Sequence, residues 1–528
     1  MSVFIRRFLS DPGNAVLTNI ESVDILDLDP PASISGVGSG TCCIVGEFEN
    51  GPFNTPSEVA GATDLQNTFG GFGFLYGASK ANNPCARSRN ADASGAEAWN
   101  GNAYVQLAGK KFSRLLIVRV DTSVGAVTIT PPGALTADTV VPAGTLVSSG
   151  GATGWVTMQD LFFALGATTG QTVKVRPATD DGTALSALAA AVTTITLAAG
   201  MPAFTVTNAL PLSAALSEAA IDALYTTAIT STLDLNSVAH DINLIWSARQ
   251  STIVRAALKQ NALDASANGC LGRMAAIRPP LNTSRTIAKG ATGAGVGVNR
   301  DQRVIYCYPS IQAFLPTIAL VGSAGGFGFN ATGKVDAGAD ALMVSVLSQL
   351  PPEENPGQVT TFTAGVIGIE SGANAQGFLM TDYIGFRAAG IAAARMDAGV
   401  VVFQSGVTSV DPLVNPQLRN IARRRMADFI QDTLAIRLKS FGKKLNTFAR
   451  RKAMSSEIRT FMNGLVSKNN PSSQRIDSYS LDETSGNTPA SQALGIVRFI
   501  LAVRTLSSMD AIVLQTQIGE SVIIQEAA

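Results

Sequence analysis

Two hydrophobic patterns alternate along this 528-residue chain: short apolar runs typical of buried strands, and longer apolar stripes typical of helices. They follow one another in the first 120 residues and again after about residue 217. Such alternation predicts an α/β layered architecture, with helices packed on the faces of a sheet. The predicted strands are 33–49, 115–120, 241–246, 272–277 and 303–308, and the predicted helices are 56–69, 95–107, 219–230 and 250–266.

The pattern changes after Asp121, where Thr, Gly, Ala, Val and Pro become dominant and charges become rare. Strand-like runs such as 126–130 and 172–175 are separated by turn residues. We therefore expect an inserted β-rich domain at 121–235.

The C-terminal third carries the strongest helical pattern, predicted at 415–441 with Asn415 as cap and Pro416 in the first turn. A shorter helix is predicted at 456–465, with Ser455 or Ser456 as its cap. The predicted strands that follow are 475–481, 494–505 and 510–517.

Each end of the chain carries a strand pattern that stands alone, at 17–28 before two prolines and at 521–525. A lone strand needs a partner, which lies either far away in its own chain or in another chain. A strand offered at each end favours exchange between subunits. The side chains expected to take part are Ile20, Val23, Ile25, Leu26, Val522, Ile523 and Ile524.

The composition excludes several classes of protein. With 46% hydrophobic residues and 39 bases against 39 acids, the chain is neither intrinsically disordered nor drawn by overall charge to nucleic acid or membranes. Its one histidine, His240, excludes a two-histidine metal site and is expected to be structural. No GxSxG motif occurs. We predict no catalytic residue, no cofactor and no metal.

One glycine-rich segment, Gly328–Lys334, matches the spacing of a phosphate-binding loop. The next residue should be Ser or Thr to hold magnesium, and here it is Val335. We interpret the segment as a loop, with nucleotide binding as the alternative.

The five cysteines are odd in number and form no CxxC pair, which fits neither a zinc ribbon nor a disulfide framework. Buried or free thiols in a reducing compartment are the first interpretation. The alternative is a cross-link between neighbouring subunits, for which Cys85, in a polar stretch, is the candidate.

The sequence indicates neither export nor insertion into a membrane. Residues 1–13 lack the apolar stretch of an export signal, and the uncharged segment 183–217 is rich in Thr, Ser and Ala and interrupted by Pro202 and Pro211. No membrane insertion is expected.

Residues 419–475 hold the one strong charge asymmetry. They can form a solvated helix face with pairs such as Arg424 and Asp428, bind an acidic protein surface, or contact nucleic acid. We favour the acidic protein, because the segment has no nucleic-acid motif and few aromatic residues to stack on bases. The residues predicted to face this partner are Arg419, Arg423, Arg424, Arg425, Arg437, Lys439, Lys443 and Lys444.

The run GVVVFQSGVT at 399–408, followed by the arginine-rich helix, resembles the C-terminal domain of contractile-tail sheath proteins. Residues 487–497 and 508–514 are similar to the closing strands of that family, and 31–70 to its N-terminal signature of a strand, "GP" and an "FG" loop. The similarity covers about 1–120 and 236–528, and the rest resembles the variable outer insertion.

The resemblance implies a multidomain α/β (α+β) fold. Its parts would be an N-terminal arm with an exchanged strand (1–30), a middle α/β domain (31–120 and 236–398), an inserted β-rich outer domain (121–235), and an inner domain (399–528) that faces the tail tube and ends in an exchanged strand. Both chain ends would contribute to the inner domain.

The resemblance also implies a structural, non-enzymatic function. Such proteins form stacked hexameric rings around a tail tube, and they contract to drive the tube through the host envelope for genome ejection. The implied partners are other copies of the chain, the tail tube protein, and baseplate and tail terminator proteins, without direct contact to nucleic acid. The implied location is the virion, after assembly in the host cytoplasm. The sheath of a bacterial contractile injection system is the alternative with the same mechanics.

Overall fold

The computed structural model divides the chain into two units, residues 38–429 and residues 430–506. The described residues are 38–48, 50–70, 112–149, 154–178, 192–210, 212, 216–281, 283–313, 335–358, 366–370, 377–397, 399–411, 413–467 and 473–506.

The first unit is built on a largely parallel sheet in which β1, Thr41–Gly46, is an interior strand. All six residues of β1 are buried, as expected for a parallel strand covered on both faces. In sheet order the strands are β19 (Val400–Phe403), β18 (Ala392–Asp397), β14 (Val304–Tyr308), β13 (Met274–Ile277), β12 (Leu244–Ser247), β1, β3 (Arg114–Arg119) and β2 (Ser57–Val59). Only the two edge strands, β19 and β2, run antiparallel to their neighbours.

Helices cover both faces of this sheet, which confirms the predicted α/β layers. Because side chains alternate along a strand, Cys42 and Ile44 pack in one core and Cys43 and Val45 in the other. The helices of this unit are α1 (Ala62–Phe69), α2 (Glu218–Ser231), α3 (Thr252–Ala267), α4 (Arg285–Ala288), α5 (Ala339–Gln349) and α6 (Met380–Ala389). Helix α5 contributes to the first core, and α2, α3 and α6 to the second.

The described residues between 125 and 208 form antiparallel sheets with a core of their own, in which Trp155 is fully buried. A six-stranded sheet and a two-stranded ribbon are present. The sheet order is β10 (Thr194–Thr196), β6 (Leu146–Ser148), β7 (Trp155–Thr157), β9 (Gln171–Pro177), β4 (Gly125–Thr130) and β11 (Thr205–Asn208), and the ribbon pairs β5 (Thr139–Val141) with β8 (Leu161–Phe163).

Arg119, at the end of β3, links the antiparallel segment to the large sheet. Its fully buried guanidinium donates hydrogen bonds to the carbonyl oxygens of Phe48 (3.1 Å), Gly51 (2.9 Å) and Met158 (2.7 Å). The first two acceptors follow β1, and the third lies just after β7. The same guanidinium stacks on the ring of Phe53, at 4.2 Å from its centroid.

A small antiparallel sheet completes the first unit, with β15 (Ile311–Ala313) between β16 (Val335–Ala337) and β17 (Val366–Ile369). The glycine-rich segment Gly328–Lys334 lies outside the described residues. Directly after it comes strand β16, whereas a phosphate-binding loop leads into a helix. This argues against the nucleotide-binding alternative.

Helix α7 spans Ile421–Leu438 and passes from the first unit into the second. The second unit continues with α8 (Phe448–Val466), β20 (Ile476–Asp482), α9 (Pro489–Ala493) and β21 (Ile500–Thr505). Its buried apolar residues include Ile458, Phe461, Met462, Leu465 and Ile476.

Several predicted boundaries are wrong. Asn415 and Pro416 open a separate 3₁₀ turn, and the side chain of Asn420 caps α7 by accepting the N–H of Ala422 at 2.9 Å. Helix α8 begins at Phe448 and is capped by Thr447, eight residues before the predicted start at 456. The basic residues of its first turns favour a helix but show no apolar periodicity, so the sequence pattern did not reveal them.

The predicted helix 56–69 is a short strand followed by α1, and the predicted strand 494–505 begins only at Ile500, after α9. The predicted elements at 95–107 and 510–517 lie outside the described residues. Residues 399–429, assigned from the sequence to the inner domain, group with the first unit, since β19 pairs with β18. The four-part domain layout itself stays a prediction.

Candidate assembly interface

The basic residues predicted to face a partner fall into three groups: those that bind inside the first unit, those at the turn before α7, and those at the end of α7 and after it. Arg425 belongs to the first group. It is 5% exposed, and its Nη2 donates to the carbonyl oxygens of Leu347 (2.8 Å) and Leu350 (2.9 Å). These carbonyls belong to the last turn of α5, where no intrahelical donor is available to them. Burial lowers the pKa of Arg425 to about 10. The guanidinium of Arg425 therefore caps α5 inside the unit, which argues against the prediction that it faces a partner.

Arg424 also binds within the first unit. It donates to Asp428 one turn further along α7, as the alternative of i,i+4 pairing predicted. Asp428 is buried and also accepts both Nη groups of Arg303, each at 3.0 Å. Asp428 therefore has two arginine partners, Arg303 and Arg424, and the side chain of Arg424 is held in this buried ion-pair cluster.

Arg419 and Arg423 hold the turn that precedes α7. Arg419 donates to the carbonyl of Arg387, and Arg423 donates to the carbonyl of Gln417 at 2.8 Å and to its side-chain oxygen at 3.0 Å. Both arginines are half-buried. Their main contribution in the structure is to local order.

The remaining predicted residues, Arg437, Lys439, Lys443 and Lys444, lie at the end of α7 and in the turn after it. The three lysines are exposed, and Lys443 adopts a left-handed backbone conformation with φ of 62°. From residue 433 to residue 456 the sequence has seven bases and no acid. This segment, rather than the start of α7, presents positive charge to solvent.

The basic segment continues into α8, and two large apolar side chains lie within it. Leu445 is 77% exposed and Phe448 is 68% exposed. The charges of this segment were predicted to matter, but the exposure of Leu445 and Phe448 was not predicted. The available signal was the pattern KKLNTF, in which a Leu and a Phe interrupt a basic run without fitting an apolar stripe.

Strands β20 and β21 form a two-stranded antiparallel sheet in the second unit. Tyr479 lies opposite Val503 and Leu481 opposite Leu501. Within the part of the chain that the structure describes, these two strands pair only with each other. A sheet of two strands is marginal by itself, and its edges present main-chain groups that a further strand can bind.

Glu483, directly after β20, attaches this small sheet to α8. It accepts from Lys452 at 2.9 Å and from Arg459 at 2.5 Å. A hydrogen bond from Ser455, together with these two cations, lowers the pKa of Glu483 to about 2. The hydroxyl of Tyr479 adds a bond to the side chain of Asn463 at 2.8 Å. Polar contacts thus fix the sheet on α8, and no other described strand pairs with its outer edges.

The carboxyl edge of the large parallel sheet is where α/β proteins commonly bind ligands, and here its charged groups bind one another. Arg249, after β12, donates to Asp222 and to Glu218, both at 2.6 Å. Arg278, after β13, lies 3.3 Å from Asp340, which also accepts from Gln250. These contacts attach α2 and α5 to the sheet.

Four of the five cysteines, Cys42, Cys43, Cys270 and Cys307, are buried and free. Burial raises the pKa of Cys42 and of Cys43 to about 12, so that both remain protonated thiols near neutral pH. Cys85, the candidate for a cross-link, lies outside the described residues, as do the predicted exchange strands at 17–28 and 521–525.

Other predicted features have simple surroundings. Nδ1 of His240 lies 3.0 Å from the carbonyl oxygen of Ser237, and its Nε2 lies 2.8 Å from Asp241. Among the described residues, no three histidine, cysteine, aspartate or glutamate side chains gather into a group that could hold a metal ion. In the same residues, no helix has both the length and the apolar character needed to cross a bilayer.

These observations define a class: a layered α/β protein with an antiparallel insertion and a basic helical unit that carries a two-stranded sheet. No protein-family profile and no curated protein sequence matches the chain. Solved structures do match it over nearly its whole length, at low sequence identity.

The sheath tail protein of Desulfitobacterium hafniense is 12% identical, with a TM-score of 0.50 over 92% of this chain and 100% of that one. The helical sheath of the anti-feeding prophage in its contracted state is 12% identical, with a TM-score of 0.50 over 94% and 99%. The sheath complex of the PVC extracellular contractile injection system, also contracted, is 12% identical, with a TM-score of 0.50 over 94% and 97%. The chain therefore has the fold of contractile-tail sheath proteins, and the resemblance inferred from the sequence is confirmed at the level of the fold.

Proposed function

We propose that this chain is the sheath subunit of a contractile tail. The observation that carries the proposal is the match of the chain, over more than nine-tenths of its length, to sheath proteins whose own chains are covered almost completely. In this proposal the subunits polymerise as stacked hexameric rings around a tail tube, and contraction drives the tube through the host envelope for genome ejection. Baseplate and tail terminator proteins bind the ends of the stack.

Strand exchange is the proposed link between subunits. The predicted strands at 17–28 and 521–525 add to sheets of neighbouring copies. The outer edges of β20 and β21 support this, because among the described strands none pairs with them and a further strand can bind there. Main-chain pairing suits a contracting assembly because it depends little on side-chain geometry and persists while rings rotate.

The energy for contraction is proposed to be stored in the assembly itself. An extended sheath held in a metastable state releases free energy when a trigger lets its subunits repack. No nucleotide hydrolysis is needed in such a mechanism, in agreement with the prediction of a non-enzymatic chain without cofactor.

The second unit is proposed to face the tube, with its basic segment against an acidic tube surface. The charge distribution supports Lys439, Lys443 and Lys444 for this contact better than the arginines at the start of α7, which bind within the first unit. Charge reversal at Arg424 would disturb Asp428 and the fold, so the lysines are the residues to alter.

Deletion of residues 521–528 tests the proposal. The wild-type protein should form striated cylinders under negative-stain electron microscopy. The truncated protein should keep the circular dichroism spectrum of a folded chain but form no cylinders. Cylinders of normal length from the truncated protein would contradict strand exchange, and a wild-type protein that forms none under any assembly condition would contradict the sheath function.

A contractile injection system without a genome is a second candidate, supported by the likeness to the anti-feeding prophage and PVC sheaths. Its mechanics are the same. Micrographs of native particles distinguish the two, since a phage tail ends in a DNA-filled capsid and an injection machine does not.

A cross-link through Cys85 stays a prediction. If it forms, assembled sheaths should give dimers on a non-reducing gel, and a Cys85→Ser variant should give none. Dimers that persist in the variant would contradict it.

A further inference from the structure

Residues 439–452 comprise the turn between α7 and α8 and the first residues of α8. Two bulky apolar side chains in this described segment are largely exposed. Leu445 and Phe448 are three residues apart and are 77% and 68% exposed. Isolated exposed apolar residues are ordinary, but a pair within a basic rim is typical of interface anchors. We call residues 439–452 the basic corner.

The basic corner is ordered by its own side chains. Arg450 reaches back and donates to the carbonyl of Leu445 at 3.0 Å, and Arg451 donates to the side-chain oxygen of Asn446 at 2.8 Å. Thr447 caps α8 by accepting the N–H of Arg450. The main chain that carries Leu445 and Phe448 is therefore fixed in the free protein, which lowers the entropy cost of binding.

The charges around the pair indicate what it binds. Within the described residues no carboxylate pairs with Lys439, Lys443 or Lys444, whereas Lys452 is held by Glu483. Lys452 also lies 5.8 Å from the ring centroid of Phe448, so that positive charge directly borders the apolar side chain. The complementary surface is an apolar hollow with a rim of carboxylates.

A protein surface fits this corner better than the other anionic partners. Single-stranded nucleic acid is bound by successive bases that stack on several aromatic rings, and of the two anchor side chains only Phe448 offers a ring. Interfacial membrane binding uses a helix with one wide apolar face, whereas α8 exposes Phe448 and buries Ile458, Phe461, Met462, Leu465 and Val466.

We propose that Leu445 and Phe448 are the anchor residues by which this chain docks on an acidic protein surface, with Lys439, Lys443 and Lys444 steering the encounter. This deepens and rests on the proposed function, in which that surface belongs to the tail tube. The contact then has two parts: an electrostatic part, which salt screens, and an apolar part, which salt does not screen. Tube binding therefore survives high salt in part.

The experiment is co-sedimentation of the full-length protein with tubes assembled from the cognate tube protein. Binding is measured at low salt and at about 1 M salt, where the Debye length is about 3 Å. The variants are Leu445→Ser with Phe448→Ser, and Lys443→Glu with Lys444→Glu. Leu494→Ser is the matched control, because Leu494 is 75% exposed in the same unit outside the corner.

The apolar double variant should bind at least about tenfold more weakly at both salt concentrations, a loss typical of hot-spot residues. The charge variant should lose affinity mainly at low salt, and the Leu494 variant should bind like the wild type. Unchanged thermal unfolding by circular dichroism is expected for all three, since the replaced side chains are exposed.

Three results would overturn the proposal, and they are distinguishable. Wild-type affinity of the apolar double variant would remove the anchor but leave the sheath function intact. Tubes that fail to bind the wild-type protein would remove the tube contact and the anchor together. Tighter binding of the wild type to single-stranded oligothymidylate, or to vesicles of anionic phospholipid, than to tubes would show that the partner class is wrong.

Discussion

Asp428 accepts hydrogen bonds from both terminal nitrogens of Arg303, each at 3.0 Å. Because Arg303 directly precedes β14, this pair joins helix α7 to the start of that strand. Both side chains are buried, and Arg424 donates to the same carboxylate. A bidentate arginine–carboxylate contact fixes orientation as well as distance. The start of α7 is therefore held in one position on the large sheet.

Removing the charge of Asp428 should leave Arg303 buried without its counter-ion. We expect Asp428→Asn to lower the free energy of unfolding by about 3 kcal/mol, the usual cost of breaking a buried pair from one side. Chemical denaturation followed by tryptophan fluorescence measures this, since Trp155 and Trp246 lie in the same unit.

The control for that variant is Asp397→Asn. Asp397 is 55% exposed and pairs with Arg395 at 2.9 Å on the surface. A surface pair contributes at most about 1 kcal/mol. Equal losses in the two variants would contradict a special role for Asp428.

Gly272 leaves the space that Asp428 occupies. A Cβ at this position would lie 2.5–2.7 Å from side-chain atoms of Asp428. Gly272→Ala should therefore displace the carboxylate and destabilise the protein by about 1–3 kcal/mol, as overpacking does. Gly133→Ala, where a Cβ meets nothing within 4 Å, should leave the denaturation midpoint unchanged or slightly raised. A neutral Gly272 variant would count against tight packing here.

Arg425 should be a stability residue with no direct part in tube binding. Arg425→Met leaves the carbonyls of Leu347 and Leu350 without this donor, and we expect a loss of about 2–3 kcal/mol, as for unsatisfied buried polar groups. Its affinity for tubes, measured at a temperature where it is fully folded, should equal that of the wild type. A specific loss of affinity with unchanged stability would restore Arg425 to the interface.

Acid should loosen the second unit through Glu483. Its pKa is lowered to about 2 in the folded chain, below its unfolded value, so its stabilising contribution is complete above about pH 4.5 and is lost as the pH falls towards 2. Thermal unfolding followed by circular dichroism between about pH 5 and pH 2.5 should show this loss. In Glu483→Gln the midpoint should vary less with pH over that range, and an identical slope would contradict the assignment.

The antiparallel insertion and the α/β alternation could be predicted from the sequence, because both depend on patterns within a few neighbouring residues. Each strand of the large sheet is a short buried run, and the strands at 125–130 and 171–177 match runs in which β-branched residues alternate. The predicted pair of Arg424 and Asp428 was also local, being one helical turn apart.

The roles of the arginines depended on distant parts of the chain. Arg425 binds carbonyls about 75 residues away and Asp428 binds an arginine 125 residues away, and no spacing in the sequence encodes such contacts. The helix start at Phe448 was missed because basic residues show no apolar period.

The sequence by itself determined the layered α/β class, the β-rich insertion, the resemblance to sheath proteins and the excess of positive charge near the C-terminal helices, because periodicity and composition act over a few residues at a time. Only the tertiary structure decided which of those charges reach solvent, and that Leu445 and Phe448 lie exposed beside them. Burial is a property of packing between segments far apart in the chain, and a residue's type does not reveal what folds over it.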